Sequence, residues 1–373
     1  MAKTVRLADI AAQFGVSTVT VSKALSGKQG VSEELRRQIQ EAADALGYRQ
    51  PSALRRAHEA RAYRIGALLA SRYLDQHTSF YMKMYQELAA RAAAREYLTS
   101  LEIITDSEDA APTLPKLLAE QLVDGYVILG PVSRRYFEFV TARTELPEVC
   151  LDGADRDHER DCVITDNYYG MYKMTNYLLE RGHERIAFVG SVGSTESITD
   201  RYFGYVKALT ERGIAVRPDW VIEDRDARTG VAEDYPLRLP VGCRTEPAAA
   251  AAPQMQIPAD AGGVTVREQP PTGAAVLFPT AFVCNCDRTA ARVIALLEAR
   301  GYRVPDDFSV VGFDNYLYPG LCDVSITTYE VDMREMVSRA LCLLRKKIAK
   351  DYYKKGVSVI GGRLVEKESV RRI

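Results

Sequence analysis

Apolar residues at positions 7, 10, 11 and 14 recur at i, i+3, i+4 and i+7, which predicts a short helix from Leu7 to Phe14. Gly15 interrupts it. Ser17 can accept backbone N–H bonds as the N-cap of a second helix, Thr18 to Leu25, whose inward face is Val21, Ala24 and Leu25. Ser32 caps a third helix, with Glu33 and Glu34 in its first turn, Leu35, Ile39, Ala42 and Leu46 on its apolar face, and Gly47 as its stop. Three short helices, the first two joined by a tight glycine turn, predict a helix-turn-helix. Thr18, Val19, Ser22 and Lys23 are left pointing outward.

The pattern changes at Tyr63. Short apolar runs (IGALLA 65–70, LEIIT 101–105, GYVILG 125–130, EVCLD 148–152, CVITD 162–166, RIAFVG 185–190, WVIED 220–224, TAFVCNCD 280–287, FSVVGFD 308–314) alternate with helical stretches, among them Tyr81–Arg95, Gly170–Arg181, Arg201–Arg212, Thr289–Arg300 and Met333–Lys350. Near-continuous apolar strands between helices predict an α/β body of parallel sheets covered on both faces. A body this long divides into two sheets. Residues 236–279 break the alternation with eight of the sixteen prolines and an alanine run at 248–252, showing neither helical nor strand period.

The 373 residues exceed what one core usually holds. Their net charge of −1 hides an asymmetry, because residues 1–64 carry eleven Lys/Arg against six Asp/Glu. A basic end on an acidic body points the N-terminal segment at a polyanion. No apolar run approaches the length of about 18 residues needed to cross a membrane, and MAKTVRLADI lacks a secretory apolar stretch, so a cytoplasmic location is expected. Seven sparse cysteines are expected as reduced, mostly buried thiols.

Candidate chemistry sits in two places. On the second helix, short hydroxyls can approach phosphates and base edges, Val19 can meet a thymine methyl, and Lys23 can reach guanine acceptors. The alternative is a three-helix bundle with an ordinary solvated face. In the body, five strands end on or beside an aspartate: Asp152, Asp166, Asp224, Asp287 and Asp314. Ligands of open parallel sheets lie at the carboxyl ends of strands, and carboxylates beside an aromatic suit a sugar. The alternative is that each aspartate caps the following helix. Enzyme signatures are missing: there is no Walker loop, no H-E-x-x-H, no G-x-S-x-G, and the four histidines lack metal-ligand spacing. Cys284-Asn-Cys286 reads as alternation on a strand, one thiol to each side. No cofactor or metal is expected. A sugar-binding transport component and an α/β kinase or hydrolase are the competing readings.

The run LADIAAQFGVSTVTVSKAL (7–25), with VSEELR at 31–36 and LGY at 46–48, resembles the headpiece of the lactose-repressor/purine-repressor family of bacterial regulators. VITDN (163–167), RGHERIAFVG (181–190), RYFGY (201–205), PTAFV (279–283) and VPDDFSVVGFDN (304–315) resemble signatures of that family's periplasmic-binding-protein-like core, in the same order. By position the resemblance implies base contacts from Thr18, Val19 and Lys23, and phosphate contacts from Leu7, Ser17, Thr20, Ser22 and Ser26. It implies a hinge helix after Pro51 with a minor-groove leucine wedge. Counting seven on from Pro51 reaches His58, and the one leucine in 51–64 is Leu54. Either Leu54 wedges from a shifted register, or arginines read a narrowed minor groove. Arg201 and Asp314 match the family's most regular effector contacts, and Phe80, Tyr81, Asp152, Asp166, Arg225 and Asp287 match more variable cleft positions. The Asp287 site keeps its capping alternative, and Arg201 could be a surface helix-start arginine.

The resulting expectation is a homodimeric repressor with a DNA-binding headpiece at 1–50, a hinge at 51–62 and a two-lobed effector domain at 63–373. Its partners would be a palindromic operator and a small effector, a sugar in preference to a purine. Relative to the family, roughly Val241–Leu277 reads as an extra disordered loop, which a frame error would mimic.

Overall fold

A computed structural model describes residues 7–26, 28–46, 62–74, 79–153, 160–226, 230, 232, 235–241, 278–317 and 320–373. The chain forms two compact units, one within Met1–Tyr63 and one spanning Arg64–Ile373.

In the first unit three helices, α1 (Leu7–Phe14), α2 (Thr18–Leu25) and α3 (Glu33–Ala45), enclose Ile10, Ala11, Val21, Ala24, Ile39 and Ala43. Gly15 makes the α1–α2 turn in the left-handed region (φ 62°), where a Cβ is strained. Ser17 caps α2 by accepting from the Thr20 N–H at 3.1 Å, and Ser32 accepts from the Leu35 N–H. Leu46 departs from expectation. It lies one residue beyond α3, 44 % exposed, because the helix ends before the apolar stripe reaches it.

The second unit holds two six-stranded sheets. The first contains β1 (Arg64–Ala70), β2 (Leu98–Ile104), β3 (Gly125–Leu129), β4 (Glu148–Leu151), β5 (Cys162–Thr165) and β11 (Val357–Ile360), in the order β11-β5-β4-β3-β1-β2, all parallel. The second contains β6 (Ile186–Val189), β7 (Val221–Ile222), β8 (Ala281–Cys284), β9 (Ser309–Asp314), β10 (Thr327–Glu330) and β12 (Arg363–Val365), in the order β12-β10-β9-β8-β6-β7, with only the β10–β12 pairing antiparallel. Helices between the strands are α4 (Phe80–Ala93), α5 (Asp106–Ala110), α6 (Lys116–Ala119), α7 (Arg134–Arg143), α8 (Asn167–Leu179), α9 (Glu196–Glu211), α10 (Asp287–Glu298) and α11 (Met333–Ile348). Hydroxyl and carboxylate N-caps start several of them: Ser79, Thr105 (in a capping box with Glu108), Ser133, Asp166, Thr195 and Asp332.

The chain changes sheets three times, after β5, after β10, and between β11 and β12. α11 follows a strand of the second sheet but packs on α4, β3, β4 and β5 of the first. Each sheet is therefore assembled from distant stretches of sequence.

The segment after β7 corrects one expectation. Leu237, Leu239 and Val241 alternate into the core of the second sheet at 7–8 % exposure, beside Trp220, Ile222 and Ile294. The period is two, but it spans only three apolar positions among prolines and was not recognised. The proline-rich remainder, 242–277, lies outside the described residues. Leu239→Ala is expected to lower stability by about 2 kcal/mol through transfer and cavity costs. Excising 242–277, with Val241 kept, should shift the melting temperature by less than about 5 °C, since loop length changes closure entropy slowly. Thermal melts of the two variants check this; equal losses would show that the proline-rich stretch packs too.

Candidate functional site

The first candidate surface is the outer face of α2. Thr18, Ser22 and Lys23 are exposed and Val19 is 61 % exposed, because the positions turned inward are taken by Val21 and Ala24. Arg36 of α3 donates to the carbonyls of Ala24 and Lys28, tying the end of α2 and the following turn to the bundle. Other predicted contacts are placed differently. Ser17 and Thr20 share a 2.9 Å hydroxyl bond within the cap, and Ser26 donates to the Ser22 carbonyl at 2.6 Å. Leu7 is half-buried against the bundle core, so at the start of α1 its backbone N–H, rather than its side chain, is the group suited to an anion. Leu54 and His58 lie outside the described residues.

The second candidate is a cavity of about 480 Å³ between the two sheets of the larger unit. Both sheets deliver a carboxylate to it on a left-handed backbone, Asp152 just after β4 (φ 58°) and Asp314 at the end of β9 (φ 96°). Residues held in such conformations cluster at binding sites. Tyr81 donates its hydroxyl to Asp152 at 3.0 Å, its ring packed so closely on Gly130 that a Cβ there would lie 2.7 Å away. Burial pushes the Asp152 carboxyl up to about 6, against the pull of Arg201, with the Asp314 charge adding to the rise.

Arg201, on α9, is only 6 % exposed and fully engaged. Nε donates to Asn167 Oδ1 at 2.8 Å, Nη1 to the Asn285 carbonyl and Nη2 to Asp314 Oδ1 at 3.2 Å, while the guanidinium lies 3.8 Å from the Phe313 ring centroid. A buried, stacked fork of this kind is no surface arginine. Burial raises the Asp314 carboxyl above the usual range, with Arg201 and Arg225 opposing it.

Behind the wall lies a second ion pair. Arg225 forks onto Asp224 through Nε (3.1 Å) and Nη2 (2.9 Å), and Nη2 also reaches Asn285 Oδ1 at 3.1 Å. Asp224, fully buried, also accepts from the Ser191 N–H, Asn285 Nδ2 and Thr289 Oγ1 at 2.7–3.0 Å. Burial opposes its charge, but Arg225 and these donors prevail and hold the carboxyl at about 2.

Of the predicted effector residues, Phe80, Tyr81, Asp152, Arg201, Arg225 and Asp314 line this cavity. Two do not. Asp166 accepts from the Tyr169 N–H as the N-cap of α8, which is the capping alternative. Asp287 is buried at the first residue of α10, where it accepts from the Tyr316 N–H at 2.9 Å and so supports a residue that does line the cavity. Cys284-Asn-Cys286 also differs from expectation: β8 ends at Cys284, Asn285 turns into the Asp224 network, and Cys286 is the N-cap position of α10, lining the cavity. Residues not predicted but present in the walls include Arg72, Tyr73, Arg288, Arg292 and Tyr316. Arg288 and Arg292 carried a signal, two cations at i, i+4 on the helix that opens at Asp287. An adjoining cavity of about 750 Å³ shares Asp152, Thr195 and Ser197.

Three family profiles match the chain: "Bacterial regulatory proteins, lacI family" over residues 6–51, "Periplasmic binding proteins and sugar binding domain of LacI family" over 62–234, and "Periplasmic binding protein-like domain" over 175–370. Similar curated proteins include the HTH-type transcriptional repressors PurR of Mannheimia succiniciproducens (25 % identical) and Vibrio campbellii (24 %), each alignment covering 98 % of both chains. Among solved structures, the operator-bound Lac repressor dimer with the anti-inducer ONPF matches at a TM-score of 0.59 and 20 % identity, covering 99 % of this chain and all of that one. The CelR–cellobiose complex matches at 0.60 and 20 %, covering 98 % and 99 %. The headpiece fold, the paired parallel-sheet lobes and these matches agree: the chain belongs to the lactose-repressor/purine-repressor family of bacterial DNA-binding transcriptional repressors.

Proposed function

We propose that this repressor reads a palindromic operator as a homodimer and that a sugar bound between the lobes sets its operator affinity. The observation that carries the effector reading is the pair of left-handed strand-end carboxylates, Asp152 and Asp314, entering one cavity from opposite sheets beside an aromatic wall. Tyr73 and Tyr81 rings lie 4.6 Å apart, and Phe80 meets Tyr316 edge-on at 6.2 Å. Hydroxyls donate to the carboxylates while sugar C–H faces lie on the rings. A ligand touching both lobes changes their relative orientation, which is the lever a repressor needs. A cellobiose-bound relative favours a sugar, and the PurR relatives supply the purine alternative.

One recognition helix reads few base pairs, so two headpieces related by a two-fold axis match a palindrome. A gel-shift assay on palindromic fragments, repeated with a panel of sugars and of purine bases, tests both halves. Release or tightening by a sugar supports the reading; a response to purines alone overturns the sugar. Lys23→Ala is expected to weaken operator binding by about 1–3 kcal/mol and to relax preference at one position per half-site. Equal loss on operator and random DNA would reduce Lys23 to a phosphate contact.

A further inference from the structure

One side of the cavity carries more positive charge than hydroxyl recognition requires. Arg288 and Arg292 stand one turn apart on α10, with Ala291 and Ala295 completing a face that lines the cavity, and Arg225 enters beside them from the end of β7. Arg292 donates to the carbonyl oxygens of Asp224 and Tyr235, which hold a guanidinium without neutralising it. Asp224, the carboxylate at their centre, already accepts five bonds through its two oxygens, so it has little left to offer a second arginine. The guanidinia feel one another: burial first, then the Arg288 and Arg225 charges, bring Arg292 below its usual value, with Asp224 opposing.

Like charges drawn to one wall repel, and an anion from outside converts that cost into affinity. Guanidinium forks match carboxylate and phosphate oxygens. We infer that the effector carries an anionic group, a carboxylate or a phosphate ester, seated on Arg225, Arg288 and Arg292 while its hydroxyls reach Asp152 and Asp314. The inference rests on the reading of this cavity as the effector site, and it narrows that effector to an acidic sugar.

The test uses the full chain. Calorimetry compares matched sets, glucose with glucuronate and glucose 6-phosphate, and galactose with galacturonate and galactose 6-phosphate. In parallel, thermal melts compare inorganic phosphate with chloride at equal ionic strength. At least one acidic form should bind ten-fold or more tighter than its neutral parent, and which form wins separates a sugar acid from a sugar phosphate. Phosphate should raise the melting temperature, and Arg288→Gln, an exposed position whose replacement leaves the core intact, should remove both effects. If these sugars do not bind, an Arg288-dependent stabilisation by phosphate still supports the anion seat. Neutral parents binding as tightly as their acids would overturn the inference and leave the sugar reading standing. Binding of purine bases alone would overturn that reading itself. Phosphate without effect, or equally effective on Arg288→Gln, together with no acidic preference, would overturn the anion seat.

Discussion

Asp224→Ala is expected to lower the stability of the larger unit by about 3–5 kcal/mol, the range for removing one partner of a buried ion pair. The side chain is wholly buried and accepts from Ser191, Arg225, Asn285 and Thr289, so its loss strands Arg225 without a counter-charge and three further donors without acceptors. The pH dependence carries a sign. With the folded carboxyl held at about 2, against an ordinary 3.8, its contribution is fully present above pH 4 and disappears as pH falls from about 4 to about 2. The shift corresponds to about 2 kcal/mol. Denaturant unfolding of wild type and Asp224→Asn should therefore give stability curves that are well separated at pH 6 and converge below pH 3. Parallel curves across that window would contradict the assignment of charge to Asp224.

Arg201→Ala should cost a similar amount, about 3–5 kcal/mol, for a different reason. Here the cation is lost and three acceptors remain: Asn167 Oδ1, the Asn285 carbonyl and Asp314 Oδ1, the last on a buried carboxyl already raised above its ordinary range. The Phe313 ring loses its stacked guanidinium as well. In a unit this size each kcal/mol shifts the melting temperature by roughly 2 °C or more, so differential scanning calorimetry resolves the change. Adding Asp314→Asn should restore part of the loss, because neutralising the abandoned carboxyl removes the buried charge. A double variant that melts below Arg201→Ala would show that the two side chains do not act as a pair. Effector binding should be lost in both.

The strands predicted from apolar runs, β1 to β9, are those whose residues face cores on both sides, so hydrophobicity alone marks them. β10 escaped because Thr327 and Thr328 are buried polar residues whose hydroxyls serve neighbouring backbone, Thr327 accepting from the Lys367 N–H and Thr328 from the Asn315 N–H. β11 and β12 escaped because they are short edge strands and half-exposed. In the cavity, Asp152 and Asp314 were visible as strand endings, since topology alone carries such residues to the cleft. Asp166 and Asp287 share that pattern yet turn into a cap and a loop support, a choice made by local backbone geometry rather than by residue type. Asn285 was hidden by its place between two cysteines at the end of an apolar run. Its role, bonding Arg201 through the carbonyl and Arg225 through the side chain, depends on contacts from α9 and β7, 60 to 84 residues away.

The three passages of the chain between sheets bear on how the protein is made. The first sheet acquires its last strand only with Val357–Ile360, and the second only with Arg363–Val365. During synthesis neither lobe can close until nearly the whole polypeptide has left the ribosome, whereas the three-helix bundle at the other end is complete within the first few dozen residues. A nascent chain therefore has a finished DNA-reading module long before it has a finished sensor, and a premature stop near the C-terminus unmakes both lobes at once while sparing the bundle.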